Sequence, residues 1–162
     1  MPGIEIRPAQ IEDSPAVAGM LARLAAELGD GERFHSTADA IRLHGFGNKP
    51  LFRCHLAEAE GKFLGLALYF PVFSTTRGQP GVYVQDLWVD AKARGTGLGR
   101  KLLAVTASAA SEDWGAAYLM LTVYGDNEGA VAFYHRLGFS SEERDRPLWI
   151  EGPGFQELRR LD

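Results

Sequence analysis

Apolar and polar positions along this chain repeat with two different periods, and each change of period marks a new element. Residues 4–7 alternate one by one, as a half-buried strand does, and Pro8 ends the run. The period then lengthens. Val17, Met20, Leu21, Leu24 and Leu28 recur at helical spacing behind an Asp13 or Ser14 cap and Pro15, until Gly29 stops them. A shorter helix is predicted from a Ser36 or Thr37 cap to near Gly45, followed by a loop over residues 46–50. Residues 52–60 and 62–70, divided by Gly61, predict a hairpin, and residues 74–80 a loop. Residues 82–89 predict a strand and residues 98–110 a helix with Leu98, Leu102, Val105, Thr106 and Ala109 on one face. A strand over 117–124 follows, then a helix capped by Asn127 that carries Ala130, Val131, Tyr134 and Leu137 and ends at Gly138. Residues 148–150 and 155–161 are expected to complete the sheet.

Hairpins early and strand-helix-strand-helix late predict a mixed α/β sheet rather than a purely parallel one. With no repeat or linker, residues 1–162 read as one domain, long enough to bury roughly two-thirds of its unfolded surface without disulfide or metal. The composition, 46% hydrophobic and 23% charged, is that of a soluble globular protein, and no apolar run approaches the roughly 20 residues that span a bilayer. Glu5 and Arg7 interrupt any secretory core at the N-terminus, so a cytoplasmic location is expected. Cys54 is the only cysteine, which excludes an internal disulfide and a multi-cysteine zinc cluster; it reads as a small buried strand residue. His35, His44, His55 and His135 form no ligand pair on one helix, so no metal is expected. Glu58 and Glu60 read as solvated strand carboxylates. A net charge of -4 opposes nucleic-acid binding and faintly favours a cationic small molecule.

The most informative stretch joins the strand over 82–89 to the helix that follows. Gly95, Gly97 and Gly99 let the backbone curl around a ligand, and the helix behind them presents free N–H groups and the positive end of its dipole. An anion is the natural occupant. Arg94, Arg100 and Lys101 add charge that suits a diphosphate. Arg100 stands where a dinucleotide fingerprint needs its third glycine, and the Gly-Lys-Ser/Thr of a P-loop is absent.

Arg94-Gly95-Thr96-Gly97-Leu98-Gly99, followed 28 residues beyond Gly99 by Asn127-Glu128-Gly129-Ala130-Val131-Ala132-Phe133-Tyr134-His135-Arg136-Leu137-Gly138-Phe139, resembles the GNAT acetyltransferase superfamily. His44-Gly45-Phe46-Gly47-Asn48-Lys49-Pro50, with Cys54 and Leu56-Ala57-Glu58, and Tyr83-Val84-Gln85-Asp86-Leu87-Trp88-Val89 are similar to its diamine (spermidine/spermine and thialysine) N-acetyltransferases. The resemblance runs from Ile4 to about Leu158. It implies a mixed, mainly antiparallel central sheet of six to seven strands flanked by about four helices, acetyl-CoA as co-substrate, a small-molecule amine as acceptor and a homodimer. It also implies that the backbone of Leu87, Trp88 and Val89 pairs with the pantetheine arm and that Arg94, Gly95, Thr96, Gly97, Leu98, Gly99 and Arg100 hold the pyrophosphate. Asn127 would bond the cofactor, and Tyr134, two turns on and on the same helix face, would protonate the departing sulfur.

An alkylammonium with a pKa of about 10.4 must lose its proton before attack, at a cost of about 4 to 5 kcal/mol at pH 7. A base is therefore required. Where the diamine relatives carry Glu then Asp, this chain has Gln85 and Asp86; Gln85 cannot take a proton, and Asp86 faces the other way on a regular strand unless a bulge turns it. Asp86 is thus the candidate base, with Gln85 and Asp86 contacting substrate. A buried, paired Asp86 is the structural alternative, and an amine arriving neutral the chemical one. A protein or peptide N-acetyltransferase and a non-catalytic acetyl-CoA-binding module remain competing functions.

Overall fold

A computed structural model describes residues 3–160; Leu161, the last residue of the expected final strand, lies outside them. The chain divides into two compact units, Met1–Thr122 and Val123–Asp162.

The first unit contains β1 (Glu5–Pro8), α1 (Ser14–Glu27), α2 (Ala38–Phe46), β2 (Arg53–Ala59), β3 (Lys62–Ser74), β4 (Gln79–Val89), α3 (Leu98–Trp114) and β5 (Leu119–Met120). The strands lie side by side in sequence order, antiparallel from β1 to β4 and parallel between β4 and β5. The sheet is mixed and mainly antiparallel, as expected, but the described residues form five strands rather than six or seven. The β2–β3 hairpin turns through Glu60 and Gly61, both with positive φ, as a two-residue hairpin loop requires.

One sheet face carries Leu56, Leu66, Leu68 and Trp88 and packs on Val17, Met20 and Leu21 of α1 and Ile41 of α2. The other carries Ala57 and Ala67 and packs on Leu98 and Leu102 of α3. Burying each such Leu contributes about 1.5–3 kcal/mol. The contact with α3 is close: a Cβ on Gly65 would fall 2.8 Å from the Trp88 carbonyl oxygen and 3.1 Å from Leu102 Cδ1, so this position excludes a side chain.

Local chemistry shifts several expected details. Thr37 caps α2 by accepting the Ala40 N–H at 3.1 Å, as predicted. Neither Asp13 nor Ser14 caps α1 through its side chain. Instead the Asp13 carboxylate accepts the Gln10 N–H at 2.7 Å, closing the 3-10 turn Ile11–Asp13, and pairs with Arg7, which holds it below the usual carboxylate range. Glu58 is likewise not a free solvated carboxylate, because Arg7 reaches it at 3.1 Å from the neighbouring strand.

The second unit contains α4 (Glu128–Arg136) and α5 (Gly152–Leu158). Residues 148–150 form no strand, and the expected strand over 155–161 is replaced by α5. Pro153 sits in the first turn of α5, where its missing N–H costs nothing, and Phe155 and Leu158 are spaced three apart, which is a helical and not a strand interval.

Candidate active site

β4 positions most of the predicted residues. Leu68 of β3 lies opposite Asp86 and Tyr69 opposite Val84, so Gln85 is an extra residue without a partner: a β-bulge. Opposed residues on antiparallel strands share a face. Val84 therefore shares the α3 face with Tyr69, while Asp86 lies on the α1/α2 face beside Leu68, whose other neighbour is Cys54. On a regular strand Asp86 would follow Val84 onto the α3 side. The bulge thus turns Asp86 onto the α1/α2 face, and Gln85 is left exposed at its crest.

The surroundings of Asp86 are apolar. Among the described residues it makes no ion pair or hydrogen bond, and burial pushes its pKa up to about 6. Cys54 is a buried free thiol whose pKa is pushed up chiefly by burial, as the small-strand-residue reading expects.

The second half of β4 has a free edge. β5 pairs with β4 only at Val82 and Tyr83, so among the described residues the stretch from Val84 to Val89 has β3 on one side and no strand on the other. This edge includes Leu87, Trp88 and Val89. β5 spans two residues where a strand over 117–124 is expected, because its parallel pairing with β4 stops at Tyr83, just before the bulge.

That edge runs through the 3-10 turn Ala91–Ala93 into the glycine turn. Gly95 and Gly97 hold φ of +77° and +82°, and a Cβ on either would meet nothing within 4 Å, so the turn is open where a ligand would approach. Thr96 Oγ1 donates to the Ala93 carbonyl at 2.7 Å and tightens the curl. The first bond of α3 runs from Lys101 N–H to the Gly97 carbonyl at 3.1 Å. The amides of Gly97, Leu98, Gly99 and Arg100 consequently have no intrahelical acceptor. Leu98 is buried, anchoring the helix start, while Arg100 is exposed on the first turn. This arrangement of amides, dipole and open glycines fits a diphosphate.

Arg94 is held by two acceptors. Its Nε donates to the Val89 carbonyl at 2.9 Å and its Nη2 to Glu27 Oε2. Glu27, at the end of α1, also accepts the Trp88 indole N–H at 3.2 Å. Sequence reasoning passed over Glu27 because nothing in a helical repeat links its last residue to a turn 67 positions away.

In the second unit, Asn127 caps α4 by accepting the Ala130 N–H at 3.2 Å through Oδ1, and among the described residues its amide hydrogens make no hydrogen bond. Tyr134 lies two turns further on. Its ring meets Phe133 and Phe139 edge-on, at 5.1 and 5.4 Å between centroids, and burial raises its pKa. Gly138, with φ of +94°, terminates the helix as predicted.

A one-sided strand edge thus leads into a glycine turn at a helix N-terminus, and residues 20–139 match the Acetyltransferase (GNAT) family, an acyltransferase family to which this chain belongs. Enzymes of this family use acetyl-CoA. The chain is similar to thialysine N-epsilon-acetyltransferases, 30% identical to that of Sus scrofa with 98% of each chain covered, and 32% identical to that of Bos taurus with 86% of this chain and 90% of the relative covered. Among solved structures, an integron cassette protein from the mobile metagenome of V. cholerae superposes with a TM-score of 0.79 at 24% identity, over 97% of this chain and 98% of the other, a likeness of fold. No helix among the described residues is long and apolar enough to cross a membrane. No group of three or more potential metal-ligating His, Cys, Asp or Glu side chains occurs among them.

Proposed function

We propose that this chain, acting as one domain over residues 1–162, transfers an acetyl group from acetyl-CoA to a primary amine of a small molecule of the diamine, polyamine or thialysine kind, by direct attack in a ternary complex. The observation that carries the reading is the one-sided second half of β4 running into the open glycine turn. Such an edge offers N–H and C=O groups to an extended amide-bearing arm, and the turn offers main-chain donors to paired phosphates. The activity named for the Sus scrofa and Bos taurus relatives supports the choice of acceptor.

Bound acetyl-CoA supplies a thioester carbon open to nucleophilic attack. The residues of the chain manage protons around it. With a pKa pushed up to about 6, Asp86 is mainly ionised at neutral pH yet more basic than an exposed aspartate, which suits it to take the ammonium proton, directly or through water. Gln85, neutral and exposed at the bulge, is assigned a hydrogen-bonding contact with substrate. Tyr134, whose proton burial holds more firmly, is assigned the role of acid toward the departing sulfur, and Asn127 a hydrogen bond to the coenzyme through its free amide hydrogens.

The test is thiol release from acetyl-CoA against a panel of diamines, polyamines, thialysine, amino acids and peptides. Turnover on the small amines supports the reading. Turnover confined to peptides selects a peptide acetyltransferase, and saturable coenzyme binding with no turnover selects a binding module. Tyr134→Phe is expected to lower kcat by about ten- to a hundredfold while the Kd for acetyl-CoA stays within about twofold. Full activity in that variant removes the acid role. The reading includes a homodimer, and a monomeric mass by light scattering would exclude it.

A further inference from the structure

We propose that Glu27 is a positioning residue for the glycine turn, with Arg94 acting as its brace rather than as a phosphate ligand; this rests on the reading that the turn receives the coenzyme's phosphates. The Glu27 carboxylate collects donors from both sides of the 3-10 turn Ala91–Ala93 that leads into the glycine turn: Trp88 Nε1 of β4 at 3.2 Å and Arg94 Nη2. Arg94 in turn reaches back to the Val89 carbonyl at 2.9 Å. One helical turn earlier, Arg23 lies over the Trp88 ring, 5.8 Å from its centroid, and 4.0 Å from the Asp90 carboxylate, which itself accepts the Lys92 N–H at 2.9 Å. The last two turns of α1 therefore grip the chain on both sides of Ala91–Ala93.

Helix stability does not account for this carboxylate. Glu27 is the final residue of α1, the negative end of the helix dipole, where an anion is disfavoured. The Glu27–Arg94 pair is also close to half exposed, at 42% and 49% of the side-chain surface, so it adds little to global stability. Its effect is local. A turn containing Gly95 and Gly97 has many conformations, and ordering it around a ligand lowers affinity unless the free protein already holds it in place. Arg94, the residue that opens the turn, is fixed by two acceptors before any ligand arrives.

The experiment is calorimetric titration with acetyl-CoA alongside steady-state kinetics. Glu27→Ala is expected to raise Kd and KM for acetyl-CoA about tenfold, with kcat at saturating coenzyme and KM for the amine within about twofold. Its Tm should fall by no more than about 2–4 °C. Glu27→Gln, which keeps an acceptor but loses the charge, should recover part of the affinity. Arg94→Ala should resemble Glu27→Ala, and the double variant should be no weaker than the weaker single one. Unchanged affinity in Glu27→Ala overturns the proposal. Tighter binding does so too, since it would mean that Arg94, once released, turns to the phosphates. A large loss of Tm that tracks the loss of affinity would make Glu27 merely structural. If the unsubstituted protein itself shows no saturable coenzyme binding, it is the functional reading that falls.

Discussion

The two halves of β4 belong to one continuous strand but have different neighbours. Up to Tyr83 the strand has β3 on one side and meets β5 at Val82 and Tyr83 on the other; from Val84 onward, among the described residues, β3 is its one strand partner. The first half is a closed piece of sheet. The second lacks a strand partner on one side among the described residues, and unpaired strand edges are normally a liability that invites aggregation. The proposed chemistry sits where sheet pairing stops, and a single extra residue, Gln85, marks the division.

Several substitutions would break or sharpen that contrast. Asp86→Asn should have the largest effect, a loss of about a thousandfold in kcat, because the open half keeps its shape and loses its base. In the unsubstituted enzyme kcat/KM should rise with pH through about 6, the range to which burial lifts this carboxyl. Stability should move the opposite way. A carboxyl whose folded pKa exceeds its unfolded value of about 3.9 favours folding below that value, and the benefit disappears as pH rises through about 6. Asp86→Asn should accordingly be more stable than the parent by about 2–3 kcal/mol at pH 8, with the advantage gone below about pH 4, as urea melts at the two pH values would show. A flat pH–rate profile would dismiss Asp86 as the base.

Deleting Gln85 comes next. Val84 would still face Tyr69 and Asp86 would still face Leu68, so both cores stay in register while the bulge disappears. The deletion is expected to fold, by circular dichroism, and to lose about a hundredfold in turnover as the edge straightens, with Gln85→Ala losing far less. A fully active deletion would show that the bulge does not open the edge. Gly97→Ala is the smallest of these changes. Forcing a side chain to φ of +82° costs about 1–2 kcal/mol and should raise KM for acetyl-CoA roughly tenfold.

Much of this arrangement is legible in residue order. Thr37 and Asn127 as caps, the Gly61 hairpin and the Gly138 stop all act through neighbours a few positions away, so local chemistry specifies them. The bulge also leaves a trace. Val82 and Val84, then Leu87 and Val89, occupy the α3 face, a change from even to odd positions across Gln85 and Asp86. A search for regular alternation passes over that change of parity. At the C-terminal end the apolar residues 148–150 and Phe155 suggest strands by composition, while the spacing from Phe155 to Leu158 and the placement of Pro153 decide for helix. The Glu27–Arg94–Trp88 contacts and the Arg7–Asp13–Glu58 network leave no periodic trace. They join residues brought together only by the sheet and by α1 lying across it.

The burial of Cys54 has a practical consequence. It is the chain's sole thiol, packed beneath α1 and α2 with its proton firmly held, so a disulfide reagent added to native enzyme would colour only with coenzyme A set free by turnover. The same reagent, in the absence of substrates, would react as the protein melts, making this sulfur an internal reporter of unfolding.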